Sequence, residues 1–495
     1  MPSSGHTKVM RPVKICFVMG VGERYRVMYR VAEKMADRFK LEVSYLVVNE
    51  EMIEYLLEKK VDRARINFLN EKYRFGSWGS DPVDHEFLKE MEKKYGIPNL
   101  YLYWEAVRNY RGYDHCNAMK MLETVFRVFE TFLEKQRFDF ALMDAFPASL
   151  PMLVMSAIME RKNTPFYFLI PSRIEKRFLM VRGIDDKYDR IDGIFDSLKD
   201  RDLTEEERKE AEEFVARYDR GKRYFSTSER AVFLKKDVSW ARLRRGTRAI
   251  LNSFRYGTAR MSFRKHSFWS PFHYAAQRVK TIIKKQFLAG NKLFQKPVEG
   301  DRYVLFLLSK QPEASTYVKS PFFMDQRYLI EVIAKSLPIG YSVYVKPHHN
   351  DFGNLPLKYY RDLISRPNVR MLKISLNSQE LVRNCSAVIT ISGTVGWEGI
   401  ILGKPVITFG RVFYNYFDQV MHVDNITDLP LFLREAIFNY RPDRELTLKY
   451  VSAHIQGTHE GVPLSPIYTN NSSLSPDNIE QIVNGISLEL GLEHT

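Results

Sequence analysis

The chain holds 495 residues, 45% of them apolar and 13% aromatic, which is enough for two or three domains with substantial cores and excludes a disordered chain. Its three cysteines, Cys16, Cys116 and Cys385, make no disulfide or metal pattern and fit a reducing compartment. The formal net charge is +15, and the chain has no run of 18 apolar residues and no leader-like apolar core, so neither a membrane span nor a signal peptide is expected.

Lys14–Met19 is a short apolar run suited to a strand, and Val21-Gly22-Glu23 leads into a helical pattern that runs to about Phe39. Leu41–Val48 is a second strand. The stretch from about 50 to 120 is less regular, rich in Tyr and charge, and reads as an insertion near a site. Met121–Lys135 is helical, Phe138–Met143 is a strand ending at Asp144, and Pro147–Arg161 is a helix. Pro165–Ile170 is a further strand, ending at Pro171-Ser172-Arg173, and Thr204–Arg217 is a charged helix. Strands alternating with helices predict a parallel sheet, so residues 1–235 are expected to form one Rossmann-like domain.

The excess charge is local. Between Val238 and Val298 there are fourteen Lys or Arg and no Asp or Glu, interleaved with aromatics such as Trp240, Phe254, Phe268 and Trp269. A basic, aromatic, partly helical stretch fits an anionic membrane surface. It also fits nucleic acid, but no DNA- or RNA-binding motif accompanies it, and nucleic acid is not expected as a partner. The plainer reading is a solvated connector, 236–300, whose aromatics pack on neighbouring domains.

A second alternating series follows over 301–442. Its strands are Tyr303–Leu308, Ser342–Lys346, Val369–Leu372, Val388–Ile391 and Val406–Phe409. Its helices are Asp325–Leu337, Leu357–Ser365, Ser378–Asn384 and Val395–Leu402. The fold class expected is therefore α/β, with two doubly wound parallel-sheet domains facing each other across a cleft. Residues 443–495 read as a tail, with a polar stretch and a final helix from about Asn478.

The second series puts polar residues at its strand tips: Gln311-Pro312-Glu313-Ala314-Ser315-Thr316, then Pro347-His348-His349-Asn350, then Ser392-Gly393-Thr394 with Glu398 beyond. In a parallel sheet these tips lie on one edge. The Gly of the last turn lets backbone approach a ligand closely, and the N–H groups at the start of the following helix favour an anion. Phosphate on those amides and ribose hydroxyls on Glu398 would suit a nucleotide. Glu398 also reads, more plainly, as a glutamate stabilised near a helix N-terminus. His348 reads as a phosphate or base contact; the only carboxylate at ligand spacing from the His348-His349 pair is Asp351, so no metal is expected. Asp325 reads as a helix cap.

These residues carry a resemblance. QPEAST, then MDQ and IAKSLPIGYSVYVKPH, then SGTVGWEGIILGKPVITFG, resemble the capsule polysaccharide biosynthesis family, which includes the Kdo transferases of capsule export systems. TPFYFLIPSRIEKRF resembles a matching trace in the N-terminal half. The resemblance implies a two-domain glycosyltransferase of the GT-B type: the C-terminal domain binds a nucleotide-sugar donor, and the N-terminal domain presents the acceptor. It implies donor-binding roles for Lys346 and His348 as a Lys-x-His element, for Ser392, Gly393 and Thr394 as the phosphate turn, and for Glu398, Gln311, Glu313, Ser315 and Thr316. The family motif continues with Pro where this chain has His349, so CMP-, UDP-, GDP- and TDP-linked donors all stay open.

The chemistry implied is transfer of a sugar from its nucleotide to a surface polysaccharide or lipid-linked precursor. His348, Lys346, the turn amides and the helix N-terminus would meet the charge on the departing phosphate, with no metal or other cofactor required. The acceptor hydroxyl needs a base from the N-terminal side. Asp144, on a rigid strand tip, is preferred over Glu23 and Asp114. Arg173 would hold an acidic acceptor or donor sugar, or else pair structurally with a carboxylate. Such an enzyme is expected in the cytoplasm, peripheral at the inner membrane face through 238–298. Three alternatives compete: a nucleotide-sugar 2-epimerase-like enzyme, a non-catalytic glycan- or nucleotide-binding subunit, and a nucleic-acid-binding protein.

Overall fold

A computed structural model describes residues 12–20, 24–69, 81–105, 114–147, 149–184, 187–219, 271–311, 314–349, 351–463 and 471–492. Glu23, Glu313 and most of the basic segment, 238–270, lie outside the described residues. The chain divides into two compact units: Met1–Pro98, Cys116–Ile184 and Thr458–Thr495 form the first, and Asn99–His115 and Asp185–Gly457 the second. This division differs from the boundaries expected at 235, 300 and 442. The helices from 185 onward lie with the second sheet, and the last residues return to the first.

The first sheet contains β1 (Lys14–Val18), β2 (Glu42–Val47), β3 (Ile66–Phe68), β4 (Phe140–Met143), β5 (Phe166–Pro171) and β6 (Arg177–Arg182). The second contains β7 (Phe294–Gln295), β8 (Arg302–Leu307), β9 (Tyr341–Lys346), β10 (Val369–Leu372), β11 (Ala387–Thr390), β12 (Val406–Thr408) and β13 (Val420–His422). A last short strand, β14 (His459–Glu460), joins the first sheet. The fold class is α/β, with a mainly parallel sheet in each unit.

The first sheet runs β14-β6-β5-β4-β1-β2-β3. Strands β1 to β5 pair parallel, as expected, but β6 runs antiparallel to β5 and β14 antiparallel to β6. The Pro171-Ser172-Arg173 stretch therefore leads into a hairpin turn, not a crossover helix. Ser172 N–H donates to Arg177 O at 2.9 Å, and Ser172 Oγ both accepts from Ile174 N–H and donates to Ile174 O. The described parts of the 50–120 region are more regular than their sequence suggests. Asn49 Oδ1 caps the helix Glu50–Glu58 by accepting from Met52 N–H, and Ile66–Phe68 adds an edge strand beside β2.

The second sheet runs β13-β12-β11-β8-β9-β10-β7, all parallel. From β8 onward this is the Rossmann order, and the direction of winding reverses between β8 and β11. Sheets of this kind bind ligands in the crevice outside the strand carboxyl ends at that reversal. In the first sheet the equivalent reversal lies between β1 and β4. Each sheet has its own core: Ile15, Phe17, Val31 and Leu142 in the first unit, and Val304, Phe306, Ile389 and Ile407 in the second. Among the described residues, no helix is long and apolar enough to cross a membrane.

Candidate functional site

In the second unit, three strand tips are tied together by side chains and loop backbone. After β8, Gln326 brackets Ser309: its Oε1 accepts from Ser309 N–H at 2.6 Å and its Nε2 donates to Ser309 O at 3.0 Å. Gln311 N–H donates to Asp351 Oδ2 at 3.1 Å, and Gln311 Nε2 donates to Met324 O. Asp351 stands in the turn after β9, where its own N–H and that of Phe352 donate to His348 O at 3.1 and 3.0 Å. The segment after β8 is thus joined to the His348 turn. Farther on, Ser320 Oγ donates to Phe409 O, Arg411 N–H to Lys319 O, and Gly410 N–H to Ile391 O. These bonds join the same segment to the ends of β11 and β12.

The sequence-predicted residues fall on this edge in different ways. His348 and His349 are half-buried, with rings stacked at 4.5 Å. Among the described residues no three His, Cys, Asp or Glu side chains gather as metal ligands. Lys346, ending β9, is buried and donates to Ser378 Oγ at 2.7 Å, so its ammonium faces the neighbouring helix. Ser315 lies in the short helix Ala314–Tyr317, and Thr316 within it is fully buried. Asp325 is a cap, its Oδ1 accepting from Arg327 N–H and Tyr328 N–H.

Ser392 and Gly393 are half-buried and Thr394 is exposed. The helix Val395–Ile401 begins directly after them and carries Glu398, whose Oε2 is shut off from solvent. That helix rests closely on the sheet: a Cβ on Gly399 would stand 2.8 Å from Val406 Cγ2 and 3.3 Å from Val388 Cγ2. Gly393 N–H donates to Thr390 Oγ1 at 3.0 Å. The Gly393 amide is therefore occupied, and Gly396 N–H at the head of the helix donates to Gly393 O at 3.2 Å; the other amides of a first helical turn have no intrahelical acceptor. Tyr414, whose hydroxyl donates to Gly393 O across 21 residues, is not legible in the sequence, since nothing in local spacing links it to the tip it holds.

In the first unit, Asp144 follows β4 at the reversal beside β1. Its side chain is fully buried, and neither oxygen meets a hydrogen-bonding group of another described residue. Arg24 Nε stands 4.0 Å from Oδ2. Gly20, after β1, leaves the room: a Cβ there would overlap the Asp144 carboxylate. Burial pushes the Asp144 pKa up to about 6, with Arg24 pulling the other way. Asp114 is exposed at the start of a helix, and Arg173 is half-buried in the β5–β6 turn.

Residues 259–418 match the model of a family described as Capsule polysaccharide biosynthesis protein. A curated relative, Protein FixF of Sinorhizobium fredii (strain NBRC 101917 / NGR234), is 36% identical over 85 residues, 17% of this chain and 20% of the relative. The match thus spans about one fifth of that relative's length. Among solved structures, the Thermosulfurimonas dismutans KpsC beta Kdo 2,4 transferase aligns with a TM-score of 0.37 and 12% identity, covering 70% of this chain and 87% of that one. The beta Kdo 2,7 transferase of the same protein gives 0.33 and 13%, covering 74% and 89%. Methanocaldococcus jannaschii UDP-GlcNAc 2-epimerase, in complex with UDP-GlcNAc and UDP, gives 0.29 and 10%, covering 90% and 98%. The strand tips after β8, β9 and β11 all lie inside residues 259–418, the stretch that matches this family model.

Proposed function

We propose that this protein is a glycosyltransferase that moves a sugar from a nucleotide-sugar donor to a surface-polysaccharide or lipid-linked glycan precursor. One observation carries the reading: the polar tips after β8, β9 and β11 are joined on one sheet edge, at the winding reversal, inside the stretch that matches a capsule biosynthesis family. In this reading the second unit binds the donor. The amides at the head of the helix Val395–Ile401 and His348 meet the charge that develops on the departing phosphate. Glu398 takes the ribose hydroxyls. Lys346 supports the β9 tip through Ser378 and adds positive charge to the edge.

The acceptor side falls to the first unit. Asp144 is the base assigned there, since a carboxyl with a pKa near 6 is largely ionised at neutral pH and can still accept a proton effectively. Arg173 is assigned to an acidic sugar. A thermal-shift panel of CMP, UDP, GDP and TDP, repeated with His348→Ala and Glu398→Ala, tests the donor half. One nucleotide should stabilise the wild type and neither variant. Transfer to an acceptor glycan should then need that nucleotide's sugar. A 2-epimer formed without any acceptor would overturn the transferase in favour of an epimerase. Stabilisation without turnover of any donor would leave a binding subunit.

We also place the enzyme at an anionic membrane surface. The helix Pro271–Gly290 buries Leu288 and leaves Ile283 and Phe287 61% and 63% exposed, one turn apart, beside exposed Lys280 and Lys284. Apolar side chains ringed by lysine suit the headgroup boundary. Co-sedimentation with anionic vesicles should be strong at low salt and lost at about 0.5 M salt. Equal recovery with neutral vesicles would refute it.

A further inference from the structure

The helix Pro271–Gly290 has an inner face as well as an outer one, and the inner face meets the turn that carries His348. Gly353 lies in that turn, next to Phe352, whose N–H donates to His348 O at 3.0 Å. A Cβ on Gly353 would overlap Lys285 Cγ and stand 3.1 Å from Thr281 O, so the helix backbone and the Lys285 stem rest directly on the turn. Gly353 has a φ of +87°, a conformation that suits glycine, so one residue both shapes the turn and admits the helix. Leu288 of the helix shares the second unit's core with Phe294, Phe352 and Tyr360, and the Phe294 ring lies 5.3 Å from each of the other two rings. The same turn holds Asp351, which accepts from Gln311 N–H at 3.1 Å. The helix therefore backs the tip after β9 and, through Asp351, the tip after β8.

At about 100° per residue, Thr281, Lys285 and Leu288 fall on one side of the helix and Ile283 and Phe287 on the other. Among the described side chains of the helix Leu288 alone is buried, so little apolar contact holds the helix in place. The helix has no Asp or Glu and carries Arg278, Lys280, Lys284 and Lys285. An anionic lipid surface takes up Ile283 and Phe287 with the neighbouring lysines and leaves the inner face free for Gly353. One helical state thus serves both contacts, so each favours the other. We propose that an anionic lipid surface, by holding this helix, steadies the His348 turn and raises the affinity of the strand-tip edge for its nucleotide. The inference rests on the donor-site and membrane readings above and adds a coupling between them.

The test uses the full chain. Affinity for CMP, UDP, GDP and TDP is measured by equilibrium dialysis in buffer, with vesicles of phosphatidylcholine alone, and with vesicles of mixed phosphatidylcholine and phosphatidylglycerol. The mixed vesicles should tighten nucleotide binding at least about fivefold, and saturating nucleotide should tighten vesicle binding by the same factor, since coupling between two sites is reciprocal. Plain repulsion between an anionic nucleotide and an anionic surface would act in the opposite direction. Ile283→Ser combined with Phe287→Ser should lose vesicle binding and the gain together. Lys285→Ala, which strips the side chain lying on Gly353 and keeps the outer face, should still pellet with mixed vesicles and show no gain. Vesicle binding with unchanged nucleotide affinity would overturn this inference alone, as would a full gain in Lys285→Ala. A wild-type protein that binds nucleotide but no vesicle would overturn the membrane reading and this inference, and leave the donor site standing. One that binds none of the four nucleotides under any condition would overturn the donor-site reading and this inference together.

Discussion

Asp144 is fully buried, lacks a hydrogen-bonding partner among the described residues, and has only Arg24 nearby, at 4.0 Å. Water would solvate an exposed aspartate; here desolvation raises the pKa from 3.8 to about 6. Because the folded pKa lies above the unfolded one, the charged form costs stability. The cost is absent below about pH 3.8, grows between the two values, and is complete above about pH 6. Its size is on the order of 3 kcal/mol. Asp144→Asn should therefore be more resistant to urea than wild type at pH 7.5, and this advantage should shrink at pH 4.5. The same variant should lose at least about a hundredfold in transfer rate, the usual loss for a missing general base. A stability difference that does not change with pH would refute the buried-carboxylate account. A carboxylate placed in this way also explains Gly20, since any side chain there would displace it.

The elements divide by how their contacts are made. The strands β1, β2, β4, β5, β8, β9, β10, β11 and β12 were legible because each is a short apolar, often β-branched run set between turn residues. The tip residues were legible for the same reason, since a strand end fixes where its next residue stands. The β6 hairpin was not, because its turn is polar and irregular and is closed by Ser172 and Arg177. The helix Arg444–Gln456 was missed for a different reason. Every residue from Thr447 to His454 is buried, so its sequence has no polar face to set a 3.6-residue period. His454 packs against Trp397 at 4.5 Å and Tyr450 at 4.8 Å, which makes the Trp of the SGTVGWEG motif a core residue. Lys346 was read as a ligand, yet its ammonium meets Ser378, and Gly393 was read as a phosphate amide, yet its N–H meets Thr390. The Lys346 partner is 32 residues away, whereas the Gly393 partner is three residues back in its own turn.

At the scale of the molecule, the first unit is built from three separate stretches of chain, and the last closes it. Strand β14 extends the sheet beyond β6, and the helix Pro476–Leu490 places Ile479, Ile482, Val483 and Ile486 in the first unit's core, each no more than 4% exposed. The crossing is close: a Cβ on Gly485 would stand 2.6 Å from His459 Cβ and 2.8 Å from Phe178 Cζ. Lys34 and Arg38 of the first long helix both pair with Glu480 on the last. Burying four such side chains contributes roughly 6 to 12 kcal/mol, at about 1.5 to 3 each. That is as large as the whole stability of a typical domain, about 5 to 15 kcal/mol. A protein ending at Gly457 should therefore fail to fold its first unit, and native-state proteolysis should cut it freely between residues 24 and 184. Ile482→Ala in the full chain gives a graded version, lowering that unit's stability by about 2 to 5 kcal/mol. Protection of residues 24–184 in the shortened protein equal to that in the full chain would show that the returning segment only decorates a unit already complete without it.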